Sequence, residues 1–202
     1  KRPGLRWGKW AHMRGSPLNT CLNWKKRNAR RSRRPTAKRD RAIILVLLDT
    51  GLRASELCDL QIRDYEPDSG QLYVRHGKNN KRRVVYLGQR ARLQLWRYLA
   101  DRNNTRPPDP LFASRTNTRL DRNNLRHMLS TIAAQAKIND VHPHRFRHTF
   151  AITFLRNGGN TFALQKLLGH EELTTVLKYV RLAETDIKAA QAAASVVDNW
   201  RL

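Results

Sequence analysis

The chain has 202 residues, and its 40% apolar content is enough for one full-sized domain core, alone or with an appendage. Its 40 Lys and Arg residues against 16 Asp and Glu give a formal net charge of +24, which indicates a polyanionic partner, either nucleic acid or an acidic membrane surface. The longest apolar run, residues 42 to 48, is far shorter than the roughly 20 residues that cross a bilayer, which argues against membrane insertion. The two cysteines, Cys21 and Cys58, form neither a disulfide framework nor a four-thiolate metal site, as is typical of a reducing compartment.

The positive charge is concentrated at the amino terminus. Residues 1 to 41 contain fifteen basic residues and one acid, a net +14, and residues 42 to 202 carry the other +10. Residues 1 to 34 also hold three of the five tryptophans without a sustained hydrophobic period. We interpret this segment as a basic arm or linker of unknown fold, either solvated or in contact with a nucleic-acid backbone.

Residues 35 to 202 are predicted to form one domain that is mostly α-helical with a small antiparallel β-sheet. The helices are assigned from apolar spacing between Gly, Pro and Asn residues. They are predicted at residues 42–48, 54–60, 91–100, 123–136, 143–157, 161–168 and 186–197. The first is apolar all round and stops at Thr50-Gly51, which is typical of a buried helix. Residues 171 to 181 lead into the last one.

The sheet is predicted from one hairpin. Residues 71 to 76 alternate in polarity like a strand, and residues 82 to 87 predict its partner. Residues 77 to 81 have the Gly and Asn content of a hairpin loop. Lys78 and Lys81 are therefore expected to project from a short, defined turn.

Six side chains of this domain have the chemistry for phosphoryl transfer. Such a reaction needs a nucleophile, cations that hold the non-bridging phosphate oxygens, and a proton donor for the leaving oxygen. The candidates, in chain order, are Arg53, Lys78, His144, Arg147, His170 and Tyr179. Two of them, His144 and Arg147, are three residues apart and would share one helix face.

The sequence around these candidates resembles the tyrosine recombinase family of phage integrases and Xer-type resolvases. The matching segments are TGLRASEL from residue 50, a Gly-Lys hairpin loop, HRFRHTFA from residue 144, LLGH from residue 167, and Tyr179 nine residues after that histidine. The family's catalytic set runs Arg, Lys, His-x-x-Arg, His, Tyr in the same order. The resemblance covers roughly residues 35 to 186. It implies the tyrosine recombinase catalytic-domain fold and an enzyme that cuts and rejoins DNA through a covalent 3′-phosphotyrosine intermediate without a cofactor.

The resemblance also implies a role for each candidate. Arg53 and Arg147 would clamp the scissile phosphate, because a planar guanidinium holds two oxygens and stays charged at working pH. Tyr179 would be the nucleophile. Its hydroxyl has a reference pKa of about 10, so it needs help at neutral pH. His144 would supply that help, with His170 as a second candidate.

The hairpin loop would supply the general acid. Lys78 would protonate the leaving 5′ oxygen, and Lys81 is the alternative donor. Glu56 is expected to position Arg53, and His148 to pack against or orient its neighbours. The histidines at 142, 144 and 148 could suggest a metal site, but a fourth ligand is missing and tyrosine-mediated transfer needs no metal, so we predict none.

Three other functions explain the sequence less well. A non-catalytic basic DNA-binding module would explain the charge but not the ordered catalytic set. A type IB topoisomerase-like enzyme would relax supercoils with a related site, although the short hairpin and the Xer-like sequence motifs favour recombination. A metal-dependent nuclease would need clustered carboxylates, and the 16 acids are scattered.

The expected partner is double-stranded DNA, bound by four copies of the chain during recombination. Residues 184 to 202 are a plausible element for exchange between neighbouring subunits. Neither a membrane nor a small-molecule substrate is expected, and the start of the chain lacks the features of a secretory signal, so we predict a cytoplasmic protein. Members of this family usually carry an amino-terminal helical domain that closes around the duplex, and residues 1 to 34 are too few for one.

Overall fold

Most elements of the chain follow one another as the hydrophobic pattern predicts, with small differences at their ends. The helix at residues 173–183, which carries Tyr179, was not predicted as a helix, because residues 171 to 181 were interpreted only as a segment leading to the last predicted helix. The structure, a computed structural model, describes residues 36–75, 82–102, 105–169 and 173–183. In these residues the order is α1 (Ala37–Thr50), α2 (Ala54–Asp59), β1 (Tyr65–Glu66), β2 (Gln71–Val74), β3 (Arg83–Tyr86), α3 (Gln89–Leu99), α4 (Arg122–Ala136), α5 (Pro143–Arg156), α6 (Thr161–Leu168) and α7 (Leu173–Ala183). The prediction of a mostly helical fold with one small antiparallel sheet is confirmed. The basic arm and the predicted helix at residues 186–197 lie outside the described residues.

The first helix begins earlier than its apolar run. It was predicted to start at residue 42, but α1 starts at Ala37 because the charged residues before the run form a stable first turn. Asp40, which is 8% exposed, accepts a hydrogen bond from the Thr36 hydroxyl at 3.0 Å and pairs with Arg39 at 2.8 Å. An acidic side chain in the first turn also interacts favourably with the helix dipole.

The sheet contains the predicted hairpin and a third, very short strand. β2 and β3 pair antiparallel, with Leu72 opposite Val85 and Val74 opposite Arg83. β1 pairs with β2 on its other side. This strand was not predicted because two residues are too few to show an alternating pattern. The loop that carries Lys78 and Lys81 lies outside the described residues.

Helix α5 lies between two hydrophobic clusters. The larger cluster combines α1, α2, the sheet, α3 and α4 with Phe146 of α5. The smaller cluster combines Phe150, Ala151 and Leu155 of α5 with buried residues of α6 and α7. Arg147 is therefore placed between Phe146 in one cluster and Phe150 in the other. In the described ranges, no helix is both long and apolar enough to cross a membrane.

Candidate active site

One open cleft of about 860 Å³ brings together three of the six predicted site residues. Arg53, His144 and Arg147 all line it. Tyr179 lies on α7 and contacts the ring of His148, which in turn contacts the ring of the cleft residue His144. Lys78 and His170, and the alternative donor Lys81, lie outside the described residues. Their predicted roles therefore stay predictions.

Arg53 is positioned by the turn that ends α1. Gly51 ends this helix in the left-handed region, at φ 63°, and a Cβ there would lie 2.4 Å from the ring of Phe150. Only glycine tolerates both conditions, which explains the glycine of the TGLR segment. The chain then extends through Arg53, whose backbone N–H and Nη1 both donate to Glu56, each at 2.8 Å. The expected contact between Glu56 and Arg53 is present.

Arg147 is buried, at 4% exposure, and is held by main-chain carbonyls. Its Nη1 donates to the Gly51 oxygen at 2.8 Å and its Nη2 to the Leu168 oxygen at 2.7 Å. These oxygens lie at the carboxyl ends of α1 and α6, where helix dipoles favour a cation. Burial, together with the nearby charges of Arg53 and Arg83, lowers the pKa of Arg147 to about 10, which leaves it protonated at neutral pH.

Arg83 is a site residue that the sequence analysis missed. It lies on β3, and its Nη1 and Nη2 donate to the two Glu56 oxygens at 2.9 and 2.7 Å. Its Nε donates to the Leu167 oxygen at 2.8 Å. Burial raises the pKa of Glu56, but hydrogen bonds and charge from Arg83, and hydrogen bonds from Arg53, outweigh it and leave this pKa below its ordinary value. Alternation puts Arg83 on the same sheet face as the buried Val85, but the sequence does not show which face of β3 is buried, because Val84 is apolar as well.

Arg53, Glu56, Arg83 and Arg147 are hereafter called the arginine cluster: two of its guanidinium groups bind the single carboxylate, and the third, that of Arg147, interacts with it electrostatically. Only Arg53 and Arg147 of these arginines line the cleft, and Arg122 and Arg126 of α4 line it as well. Such an excess of positive charge, much of it removed from water, favours binding of a phosphate group, either a dianionic monoester or a diester. Throughout the described ranges, no three His, Cys, Asp or Glu side chains are grouped so that they could hold a metal ion.

His144, His148 and Tyr179 form a second group, hereafter the aromatic cluster. The rings of His144 and His148 are 4.5 Å apart, and that of His148 meets Tyr179 edge-on at 5.3 Å. Tyr179 is 4% exposed and packs within the smaller hydrophobic cluster. Burial raises the pKa of Tyr179 more than the charge of Arg147 lowers it. Burial, followed by the charges of His144, His142 and Arg147, lowers the pKa of His148.

Comparison with known proteins identifies a family. The family model described as the phage integrase family matches residues 23–186. The tyrosine recombinase XerA of Thermococcus kodakarensis is 35% identical over 168 residues, which cover 82% of this chain and 58% of that protein. The tyrosine recombinase XerC of Pelobacter propionicus is 38% identical over 146 residues, which cover 72% of this chain and 48% of the relative. The chain thus spans about half the length of these curated relatives.

A solved structure gives the same result. The crystal structure of XerA recombinase matches 96% of this chain and 66% of its own, with a TM-score of 0.73 and 29% identity. The structure of the XerH recombinase bound to its palindromic difH substrate matches 89% of this chain and 52% of its own, with a TM-score of 0.70. At 22% identity, this second likeness concerns the fold alone.

Proposed function

Because the chain belongs to the phage integrase family, we propose that it is the catalytic domain of a site-specific tyrosine recombinase that cuts and rejoins double-stranded DNA. The observation that carries the proposal is the convergence of Arg53, His144 and Arg147 on one cleft, together with the ring contacts that run from His144 through His148 to Tyr179. Arg53, the His144–Arg147 pair and Tyr179 come from three separate segments of the chain. We assign residues 35 to 202 to this domain and residues 1 to 34 to a basic arm.

The arginine cluster supplies the first requirement of the reaction. Two guanidinium groups that line the cleft can each hold non-bridging oxygens of a phosphodiester while negative charge redistributes among them. Arg147 is fixed before DNA arrives by two carbonyls, and Arg53 by Glu56, so neither side chain needs to be ordered in the transition state. We therefore propose Arg53 and Arg147 as the phosphate clamp.

The cleavage step then follows from the nucleophile. The Tyr179 oxygen attacks the scissile phosphorus, a phosphorus–tyrosine ester bond forms, and the bond to the 5′ oxygen breaks. The phenolic proton passes to a histidine, for which we propose His144 or His170, while Lys78 donates a proton to the departing 5′ oxygen. Rejoining is the reverse step, in which a 5′ hydroxyl attacks the phosphotyrosine. The ester conserves the energy of the broken bond, so no nucleotide cofactor is needed.

The partner we propose is duplex DNA, bound by four copies of the chain during recombination in the cytoplasm. The net charge of +24 supports a polyanion as ligand, and the solved XerH structure is a complex with difH DNA. Contacts of this kind release counterions, so affinity for any duplex should fall steeply with salt. Deleting residues 1 to 33 should flatten that salt dependence and leave cleavage at low salt intact.

The proposal is tested by trapping the covalent intermediate. The substrate is a nicked duplex, selected from a random-sequence pool for capture by the wild-type chain. Cleavage beside the nick releases a short fragment, so the cut strand cannot be rejoined. We expect a DNA adduct that resists denaturant, disappears on protease treatment and forms in the presence of a chelator. Complete failure to form such an adduct would contradict the proposed function. If the chain relaxed supercoiled DNA but never joined two duplexes, it would instead act as a type IB topoisomerase.

A further inference from the structure

The carboxylate of Glu56 is shared unequally between two arginines. Arg83 binds both of its oxygens, through Nη1 and Nη2 at 2.9 and 2.7 Å. Arg53 gives the same carboxylate one guanidinium nitrogen, at 2.8 Å, besides its backbone N–H. The two-oxygen geometry is the stronger one for an arginine and a carboxylate. Arg83 therefore occupies the position on Glu56 that would hold Arg53 most tightly.

The burial of the three side chains agrees with this division. The side chains of Glu56 and Arg83 are 2% and 9% exposed, whereas that of Arg53 is 31% exposed and lines the cleft. The Arg83–Glu56 pair is thus the buried, fixed part of the site. Arg53 is bound to Glu56 and faces the cleft in which a phosphate would lie.

Arg83 also joins two other parts of the site. It lies on β3, directly after the segment that carries Lys78, and its Nε donates to the Leu167 oxygen at the end of α6. The next carbonyl, that of Leu168, accepts from Arg147. A Cβ on Gly169 would lie 3.2 Å from Nη1 of Arg83, so the turn that leads to His170 also packs against this arginine.

We propose that Arg83 is a positioning residue for strand cleavage, which holds both oxygens of Glu56 and thereby keeps the guanidinium of Arg53 directed at the scissile phosphate. This inference rests on the proposed function, since it assigns Arg53 to the phosphate clamp. Arg83 itself does not touch the DNA in this account. Its effect is transmitted through Glu56 to Arg53.

The direct test is Arg83→Gln in the full 202-residue chain. With Arg83 gone, Glu56 can bind Arg53 through both oxygens and draw it out of the cleft. We expect adduct formation on the selected nicked duplex to slow by about tenfold to a hundredfold, less than the loss of a whole oxyanion contact. DNA affinity should change by less than about threefold, because most of it comes from phosphate neutralisation elsewhere.

A neutral substrate distinguishes positioning from a general loss of structure. If a methylphosphonate replaces the scissile phosphate, one non-bridging oxygen and its negative charge are lost, and an arginine that stabilises this charge matters less. On this substrate the ratio of the wild-type rate of adduct formation to the variant rate should be at least about fivefold smaller than on ordinary DNA, for Arg83→Gln and for Arg53→Ala alike. An Arg83→Gln rate at the wild-type level, or a defect of equal size on both substrates, would overturn the proposal.

The chain offers a matched control at the other strand of the hairpin. Arg75 follows β2 and pairs with Asp64 at 2.8 Å, and Asp64 is nearly as buried as Glu56, with 5% side-chain exposure against 2%. The same substitution, Arg75→Gln, breaks a similar ion pair that does not involve Arg53. We expect its ratio of rates on the two substrates to equal that of the wild type, even if its thermal stability falls. A ratio shifted like that of Arg83→Gln would show that any weakened hairpin gives the effect.

A second variant covers the case in which Arg83→Gln folds poorly because a buried carboxylate has lost a partner. Adding Glu56→Gln removes the charge that would attract Arg53, so the double variant should recover at least about a third of the lost rate if Glu56 is the intermediary. If the rate losses of Arg83→Gln and Glu56→Gln simply added in the double variant, the proposed coupling of Arg83 to Arg53 through Glu56 would be refuted. If the wild-type chain formed no adduct, the proposed function would fail, and the positioning role with it. A wild-type adduct with an unaffected Arg83→Gln would remove only the role of Arg83.

Discussion

The arginine cluster and the aromatic cluster are held in place by different forces. The arginine cluster is fixed by charged hydrogen bonds of 2.7 to 2.9 Å, among them two from Arg147 to carbonyls at helix ends. In the aromatic cluster the contacts are between rings, at 4.5 and 5.3 Å, and both histidines are exposed. One half of the site is thus rigid and charged, whereas the other is joined by weaker, less directional contacts.

This difference indicates which part of the chemistry is ready before DNA binds. Preorganised cations stabilise developing charge without reorganising in the transition state, and the arginine cluster meets that condition. The proposed nucleophile does not, because burial raises the pKa of Tyr179 and so keeps the phenol protonated. We infer that the tyrosine, not the phosphate clamp, is the component that has to be activated when the substrate arrives.

The largest expected effect on cleavage comes from removing the Tyr179 hydroxyl from the aromatic cluster. Tyr179→Phe should abolish the covalent adduct while leaving DNA affinity nearly unchanged, because only the attacking atom is lost and the ring still fills its place in the smaller hydrophobic cluster. Adduct formation is measured by denaturing gel and affinity by titration with labelled duplex. An adduct that persisted in this variant would mean that another side chain is the nucleophile.

The next effect concerns the proton donor, which belongs to neither cluster. An alkoxide leaving group needs a proton in the transition state, whereas a thiolate needs little help. If Lys78 is the donor, Lys78→Ala should slow cleavage of ordinary DNA by about a hundredfold to ten-thousandfold. The rate should be largely restored when sulfur replaces the scissile 5′ bridging oxygen.

Lys81→Ala and Arg53→Ala are the controls for that experiment. Arg53→Ala should gain little from the sulfur substrate, because its charge acts on the non-bridging oxygens. Restoration of Lys81→Ala but not of Lys78→Ala would move the acid to Lys81. If neither lysine variant were restored, lysine would have no part in proton transfer.

A smaller effect separates the two arginines of the clamp. Arg53→Ala and Arg147→Ala should each slow adduct formation by about a hundredfold to a thousandfold, as is usual when one transition-state contact is removed. Arg147→Ala should also lower the free energy of unfolding, by about 1 to 3 kcal/mol for each buried carbonyl left without a donor. Arg53 is about one-third exposed, so its loss should cost less. Urea unfolding measures this difference, and equal stability of the two variants would contradict it.

The sequence was sufficient to predict much of this architecture, for reasons that particular residues illustrate. The apolar run and Gly51 identified the end of α1, Pro143 identified the start of α5, and Gly169 the end of α6. Arg53, His144 and Arg147 were predicted from the resemblance to a known family, and the structure places all three at one cleft. Arg83 was missed because Val84 and Val85 are both apolar, so the alternation did not reveal which face is buried. The first turn of α1 was missed because a stretch of charge does not show the hydrophobic period.

The smallest effect concerns His148, whose ring contacts both His144 and Tyr179 in the aromatic cluster. Burial and the neighbouring charges of His144, His142 and Arg147 lower its pKa below the ordinary 6.5, so the unfolded chain takes up a proton at this histidine more readily than the folded chain. The stability contributed by the neutral ring is therefore complete above pH 6.5 and is lost as the pH falls through the lowered pKa. His148→Gln should remove this contribution. The variant's free energy of unfolding should fall less between pH 7.5 and pH 5 than that of the wild type, measured by urea unfolding at each pH.

His127→Gln, the same change at an exposed position of α4, is the control and should follow the wild type. A His148→Gln profile parallel to that of the wild type would show that the pKa of this histidine is not lowered in the folded chain.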